Sequence, residues 1–157
     1  MKRIYFFILL AVVFVVLPGV VHAEYVLPYP SYMPGNKLYA VSRIFDRLKS
    51  YWYWGNLGQF RYHLALSDKY LVEAKTLFEY KQYLLGAQAL ERSDKEFRLL
   101  KQVDSEVILA HEGVLRKLLL ETPETIEWKP EKIAPSTIAL HDLLQHSLSI
   151  RTSAGSL

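Results

Sequence analysis

His63, His111, His141 and His146 are the side chains beyond residue 24 best suited to moving a proton or holding a metal. A helical zinc site needs ligands one turn apart, as in the H-E-x-x-H pattern. Here His111-Glu112 is followed by Val114 and Leu115, and no second histidine stands one turn on. His141 and His146 are five apart and diverge on a helix. Asp104 and His111 are seven apart, two turns along one face, a geometry that also arises by chance. The carboxylate pairs Asp94/Glu96 and Asp104/Glu106 sit two apart and diverge, as do His146 and Ser147. Cysteine is absent, no G-x-S-x-G elbow is present, and Gly55 and Gly58 are not followed by the Lys-Ser/Thr pair of a phosphate loop. The expectation is a protein that is not an enzyme, with no catalytic residues, no cofactor and no specific metal site.

Aromatic residues form the other chemical feature. Ten of the eleven tyrosines lie between Tyr25 and Tyr83, joined there by Trp52 and Trp54. Four consecutive rings, Tyr51-Trp52-Tyr53-Trp54, would cover every side of a helix, so they cannot all enter one core. Tyr53 or Trp54 must meet the N-terminal arm, a membrane surface or a ligand, and the arm is the simplest cover. That arm, residues 24–36, carries Pro28, Pro30 and Pro34, which pre-set an extended course that costs little entropy to fix. Tyr25, Leu27, Tyr29 and Tyr32 are expected along a ring-rich groove of the first two helices, with Tyr25, Tyr29, Tyr32, Tyr53 and Trp54 as candidate contacts to a partner.

The elements that would position these residues follow from apolar spacing. Asn36 is a plausible N-cap, and Leu38, Val41, Phe45, Leu48 and Trp52 make one stripe at steps of three and four. Gly55-Asn56-Leu57-Gly58 should end that helix in a turn. A second stripe runs through Phe60, Leu64, Leu71, Ala74 and Phe78, with Ser67 as its polar member, and Lys81-Gln82-Tyr83 is a short connection that forces an antiparallel neighbour. From Leu84 to Glu121 only Gly86 and Gly113 interrupt a helical pattern, and an unbroken helix there would be about 55 Å long. Its distal face, with Leu115, Leu118 and Leu119, overshoots the hairpin and needs cover from a bend near Gly113, from another element or from a second copy of the chain. Thr122-Pro123 stops it, residues 122–136 form an extended Pro-containing linker, and Ser136 caps a short helix over 137–150 bearing Leu140, Leu143, Leu144 and Leu148. Residues 151–157 are expected to fray. The fold class is all-α: an antiparallel helical hairpin or small bundle of three to four helices, the last one long, with the helical domain at 37–121 and an extended Pro-rich arm packed on it.

Residues 1–23 have the pattern of an export signal: Lys2 and Arg3, an uncharged apolar run from Ile4 to Leu17, a break at Pro18-Gly19, and Val21-His22-Ala23 at the exit. Cleavage after Ala23 is expected; an uncleaved anchor is the alternative, since Ile4 to Val21 just reaches spanning length. Either outcome places the remainder outside the cytoplasm. Without Lys2 and Arg3 the 19 basic residues fall to 17 against 16 acidic ones, a net of +1, with no basic run to suggest nucleic acid. An exported chain without cysteine has no disulfides, so its stability must come from burial.

Tyr25-Val26-Leu27-Pro28-Tyr29-Pro30, Met33-Pro34, Leu38-Tyr39 and the stretch FRYHLALSDKYLVEA from Phe60 to Ala74 together resemble an uncharacterised bacterial family of exported or membrane-anchored helical domains. Members open with a Leu-Pro-Tyr-Pro-Gly arm, followed by a Leu-Tyr helix, a helix of Leu-x-Leu-Ala-Asp-x-Arg-Leu-x-Glu-Ala type and a long helix completing a hairpin. The resemblance covers residues 25–105. Ser31 stands where the family favours glycine and Lys37 where proline is common, which touches the turn after Pro30. It implies architecture and compartment and brings no activity.

The functional expectation is a non-catalytic extracytoplasmic module that binds or scaffolds an unknown protein or an envelope glycan. Membrane contact is expected only through an uncleaved N-terminal segment, and a homodimer is an open alternative. A tetratricopeptide-like unit, suggested by the spacing of Ala74, Tyr83, Gly86, Ala87 and Leu90, is a second reading, although one unit cannot bury its own face. A metal- or stress-sensing protein using the histidines is a third.

Overall fold

The computed structural model describes residues 25–29, 32–34, 36–128 and 136–155. The export signal and its cleavage point, Pro30, Ser31, the centre of the linker and the last two residues lie outside the described residues. Within them the chain is an all-α bundle, as expected, with five helices rather than three to four: α1 Lys37–Lys49, α2 Gly55–Glu79, α3 Tyr83–Phe97, α4 Ser105–Glu121 and α5 Leu140–Ala154. A short antiparallel ribbon, β1 Thr125–Trp128 and β2 Ser136–Ala139, joins α4 to α5.

The α2–α3 hairpin is the frame. Ser67, Leu71, Ala74 and Phe78 of the expected stripe are all buried, and Leu71, Ala74 and Phe78 pack with Ala89 and Leu90 of α3. Lys81 takes a positive φ of 59° in the connecting turn. The two helices approach closely at Gly86, where an added Cβ would lie 3.2 Å from the Phe78 ring.

The helix expected from Leu84 to Glu121 is two helices. α3 ends at Phe97, and α4 begins after Asp104. Asp104 stays extended, and its carbonyl accepts the Val107 and Ile108 amides at 3.0 and 3.2 Å. The break lets Phe97, Leu100 and Ile108 close into a second apolar cluster with Phe60 and Leu64. A straight 55 Å rod would have carried the α4 face beyond any partner.

The cover for α4 is α5. Leu115 and Leu118 are buried together with Leu140 and Leu144 in the main cluster, and Leu119 packs at its margin. The expected cover face is therefore filled from within the chain and is not available to a second copy. Ser136 lies in β2, and the N-cap position of α5 is Ala139; the amides of Leu140 and His141 donate to the Glu124 carbonyl, at 2.8 and 3.2 Å, so the residue before β1 supplies the cap.

α1 departs most from expectation. Asn36 is its N-cap, accepting the Leu38 amide at 2.9 Å. Its apolar stripe, however, faces away from the body: Leu38, Val41, Ile44, Phe45 and Leu48 are all exposed, Phe45 at 59 %. The opposite, polar edge holds the helix. Tyr39 donates to Glu73 at 2.7 Å, Lys69 donates to Ser42 at 3.0 Å and pairs with Asp46, and Tyr62 donates to the Asp46 carbonyl at 2.9 Å.

Candidate functional site

Two features stand out: a polar network inside the bundle and an apolar surface outside it. Arg151, expected in a frayed tail, has no solvent exposure and lies at the centre of the network. α5 continues through Ala154, so the guanidinium is held among three helices. Its Nη1 donates to Asp94 Oδ1 at 2.6 Å and to Ser147 Oγ and carbonyl at 2.7 and 2.9 Å. Its Nη2 donates to Ser93 Oγ at 2.9 Å, and the Phe97 ring lies 5.0 Å below the charge. Ser147 also donates to Asp94, and Ser93 to the Ser67 carbonyl, so both serines are spent on this cluster.

Arg151 Nε lies 3.2 Å from His111 Nδ1, and His111 Nε2 lies 2.8 Å from Asp68 Oδ1. Nε–H must donate, which makes Nδ1 the acceptor and puts the ring proton on Nε2, facing the carboxylate. The imidazole is thus neutral. Burial lowers its pKa and the Arg151 charge adds to this, against the pull of Asp68. Burial likewise lowers the Arg151 pKa, opposed by Asp94. Asp68 also receives the Tyr25 hydroxyl of the arm, and burial together with that carboxylate raises the Tyr25 pKa. The network therefore clamps arm, α2, α3, α4 and α5.

His111, Asp68, Ser67, Ser93 and Ser147 are buried with protein partners. Asp104, two turns before His111 in the sequence, is exposed at the start of α4. His63 pairs with Glu96 at 2.8 Å, His141 Nε2 meets the Thr122 carbonyl at 3.0 Å, and His146 accepts from Arg98 at 2.9 Å. Among the described residues no three His, Asp or Glu side chains are grouped to hold a metal ion. A depression of about 850 Å³ between α3 and α5 is lined by Glu91, Arg92, Lys95, Arg98 and His146 without a convergent set.

Among the described residues Glu73 carries the buried side-chain oxygen that lacks a hydrogen-bond partner. It is buried, Oε1 takes the Tyr39 hydroxyl, and Oε2 has no hydrogen-bond partner. Burial raises its pKa despite the Tyr39 bond and Arg92, 3.8 Å away. The Tyr39 hydroxyl is in turn pushed up to about 12 by burial and by Glu73.

The candidate partner contacts divide. Tyr25 is half-buried on Asp68, and Leu27 and Met33 pack on the main cluster, so the arm is a strap. Tyr29 and Tyr32 point outward, Tyr29 at 93 % exposure. Tyr51–Trp54 are not on a helix but form the turn between α1 and α2, which ends where Gly55, at φ 75°, opens α2. The arm does not cover them. Tyr53 leans on Tyr62 with ring centroids 5.8 Å apart, while Trp52 and Trp54 are 81 and 84 % exposed. Trp54 Nε1 donates to the Tyr51 carbonyl, which holds its ring outward. Sequence reasoning missed Arg151, whose partners other than Ser147 are 40 to 58 residues away, and missed the orientation of α1; a count of four cations against one carboxylate on α1 was the available hint. No family model, curated protein or solved structure matches the chain.

Proposed function

We propose that the chain is a non-catalytic helical module that acts at the bacterial cell envelope by contact with a large partner. The observation that carries this reading is the division between inside and outside. The buried ionisable groups of the Arg151 network bond to one another, whereas apolar and aromatic side chains of α1 and the following turn are turned to solvent. Contiguous exposed apolar surface of this kind marks an interaction site. The export pattern of residues 1–23 and the resemblance over residues 25–105 both support the envelope as the place of contact. Among the described residues no helix is long and apolar enough to cross a membrane.

Fractionation of cells producing the epitope-tagged full chain tests the reading. The expected result is recovery with the envelope, with the helical body open to protease added outside the cytoplasmic membrane. Recovery in the cytosol would overturn it.

A further inference from the structure

We propose that α1 lies in the plane of an anionic lipid bilayer, its outward face sunk into the headgroup–acyl boundary and the Tyr51–Trp54 turn beside it. The inference rests on the envelope reading above and names the partner. A surface helix ordinarily turns its apolar stripe to the core. In α1 it is Tyr39, Ser42 and Asp46 that contact the body, and Leu38, Val41, Ile44, Phe45 and Leu48 that face out. The 13-residue helix, about 20 Å long, offers this stripe along its whole length, too short to span a bilayer but suited to lying on one.

Charge selects the occupant. Lys37, Arg43, Arg47 and Lys49 stand against Asp46, which pairs with Lys69 and lies 3.9 Å from Lys49; Arg43 is half-buried in the crevice against the body, and Lys37, Arg47 and Lys49 are exposed. Basic residues along the polar flank of an apolar stripe fit anionic headgroups. A second copy would bring two such cationic helices face to face, and like charges would oppose the contact. The aromatic turn points the same way, since tryptophan and tyrosine favour the membrane–water boundary, with an apolar ring and a polar edge.

The test uses the full chain in a Trp128→Phe background, which leaves Trp52 and Trp54 as the tryptophans. It is reconstituted with vesicles of phosphatidylglycerol and phosphatidylcholine, or of phosphatidylcholine alone, carrying brominated acyl chains. Because bromine quenches only at contact range, the signal reports α1 and its turn even where residues 1–23 tether the chain. Strong quenching is expected in the anionic vesicles. The ratio of inserted to free α1 should fall at least about tenfold in Phe45→Ser/Leu48→Ser, and about fivefold for each cation lost in Lys37→Gln/Arg47→Gln. Thermal melts should match the parent, as these side chains are exposed. Equal quenching in parent and variants, or none in either, would overturn the proposal. So would a lipid-free dimer broken by the same pair, which would make a second copy the occupant. A lowered melt in both Phe45→Ser/Leu48→Ser and the separate variant Val41→Ser would mean that the face packs inside the fold, and overturns it too. An envelope-bound chain without quenching sinks this inference alone; a cytosolic chain sinks the reading beneath it.

Discussion

Replacing Arg151 with methionine keeps most of the side-chain length and removes the charge and five donors. The guanidinium is fully buried and reaches Asp94, Ser147, Ser93 and His111. Asp94 would keep the Ser147 hydroxyl at 2.6 Å but lose its cation in a site that is 10 % exposed. Breaking a buried pair from one side costs about 3–5 kcal/mol, because the remaining charge is left without compensation. Against a domain stability of about 5–15 kcal/mol, that is a large fraction. It should lower the melting temperature by about 10–20 °C, read by far-UV circular dichroism with a urea titration for the free energy. Asp94→Asn in the same background should return part of the loss, so the double variant is less destabilised than the two singles added together. A change below about 1 kcal/mol for Arg151→Met would refute the network as a structural clamp and restore the picture of a frayed tail.

Acidification should act through His111. Its pKa is lowered in the fold, so below the unfolded value of about 6.5 the unfolded chain binds a proton that the folded chain refuses. Stability from this group is full above that value and is lost as the pH falls beneath it, by at most about 1.4 kcal/mol per pH unit; His111→Gln should flatten this part of the pH profile in urea titrations. Tyr25→Phe removes the arm's bond to Asp68 and should cost about 1–2 kcal/mol, with faster proteolysis at residues 25–29 under native conditions. Gly86→Ala should destabilise by about 1 kcal/mol or more, because the gain in helix propensity is smaller than the cost of pushing a methyl to 3.2 Å from the Phe78 ring; a more stable variant would show that the ring moves aside freely. Leu71→Ala should cost about 2–5 kcal/mol and Val41→Ser less than about 0.5, a contrast in thermal melts that separates the buried stripe of α2 from the exposed stripe of α1.

How much of this could be foreseen depends on whether the cause was local. The α2 stripe was legible because one face of a central helix must be apolar, and the burial of Ser67 fits too, since Ser93 on the facing helix lies 3.3 Å from its hydroxyl and donates to its carbonyl. The leucines of α5 were legible as a cover for α4 because an apolar face left beyond a hairpin requires one. Periodicity says that two faces of a helix differ; it does not say on which side the rest of the protein lies. α1 exposes that gap: Leu38, Val41, Phe45 and Leu48 keep perfect helical spacing, yet Glu73 and Lys69 of α2 hold the other side. The break after Phe97 was invisible for a related reason. Residues 98–104 contain neither glycine nor proline, and the turn exists because Phe97, Leu100 and Ile108 bury more together than a straight helix would allow. Arg151 had no local signal at all, since an arginine near a chain end is ordinarily solvated. Only the convergence of Asp94, Ser93 and His111 from two other helices makes burial tolerable there, and such convergence is a property of the folded state alone. The two least legible features are therefore opposites of one kind: a charge drawn inside by distant partners, and an apolar face left outside because near neighbours bind its polar back.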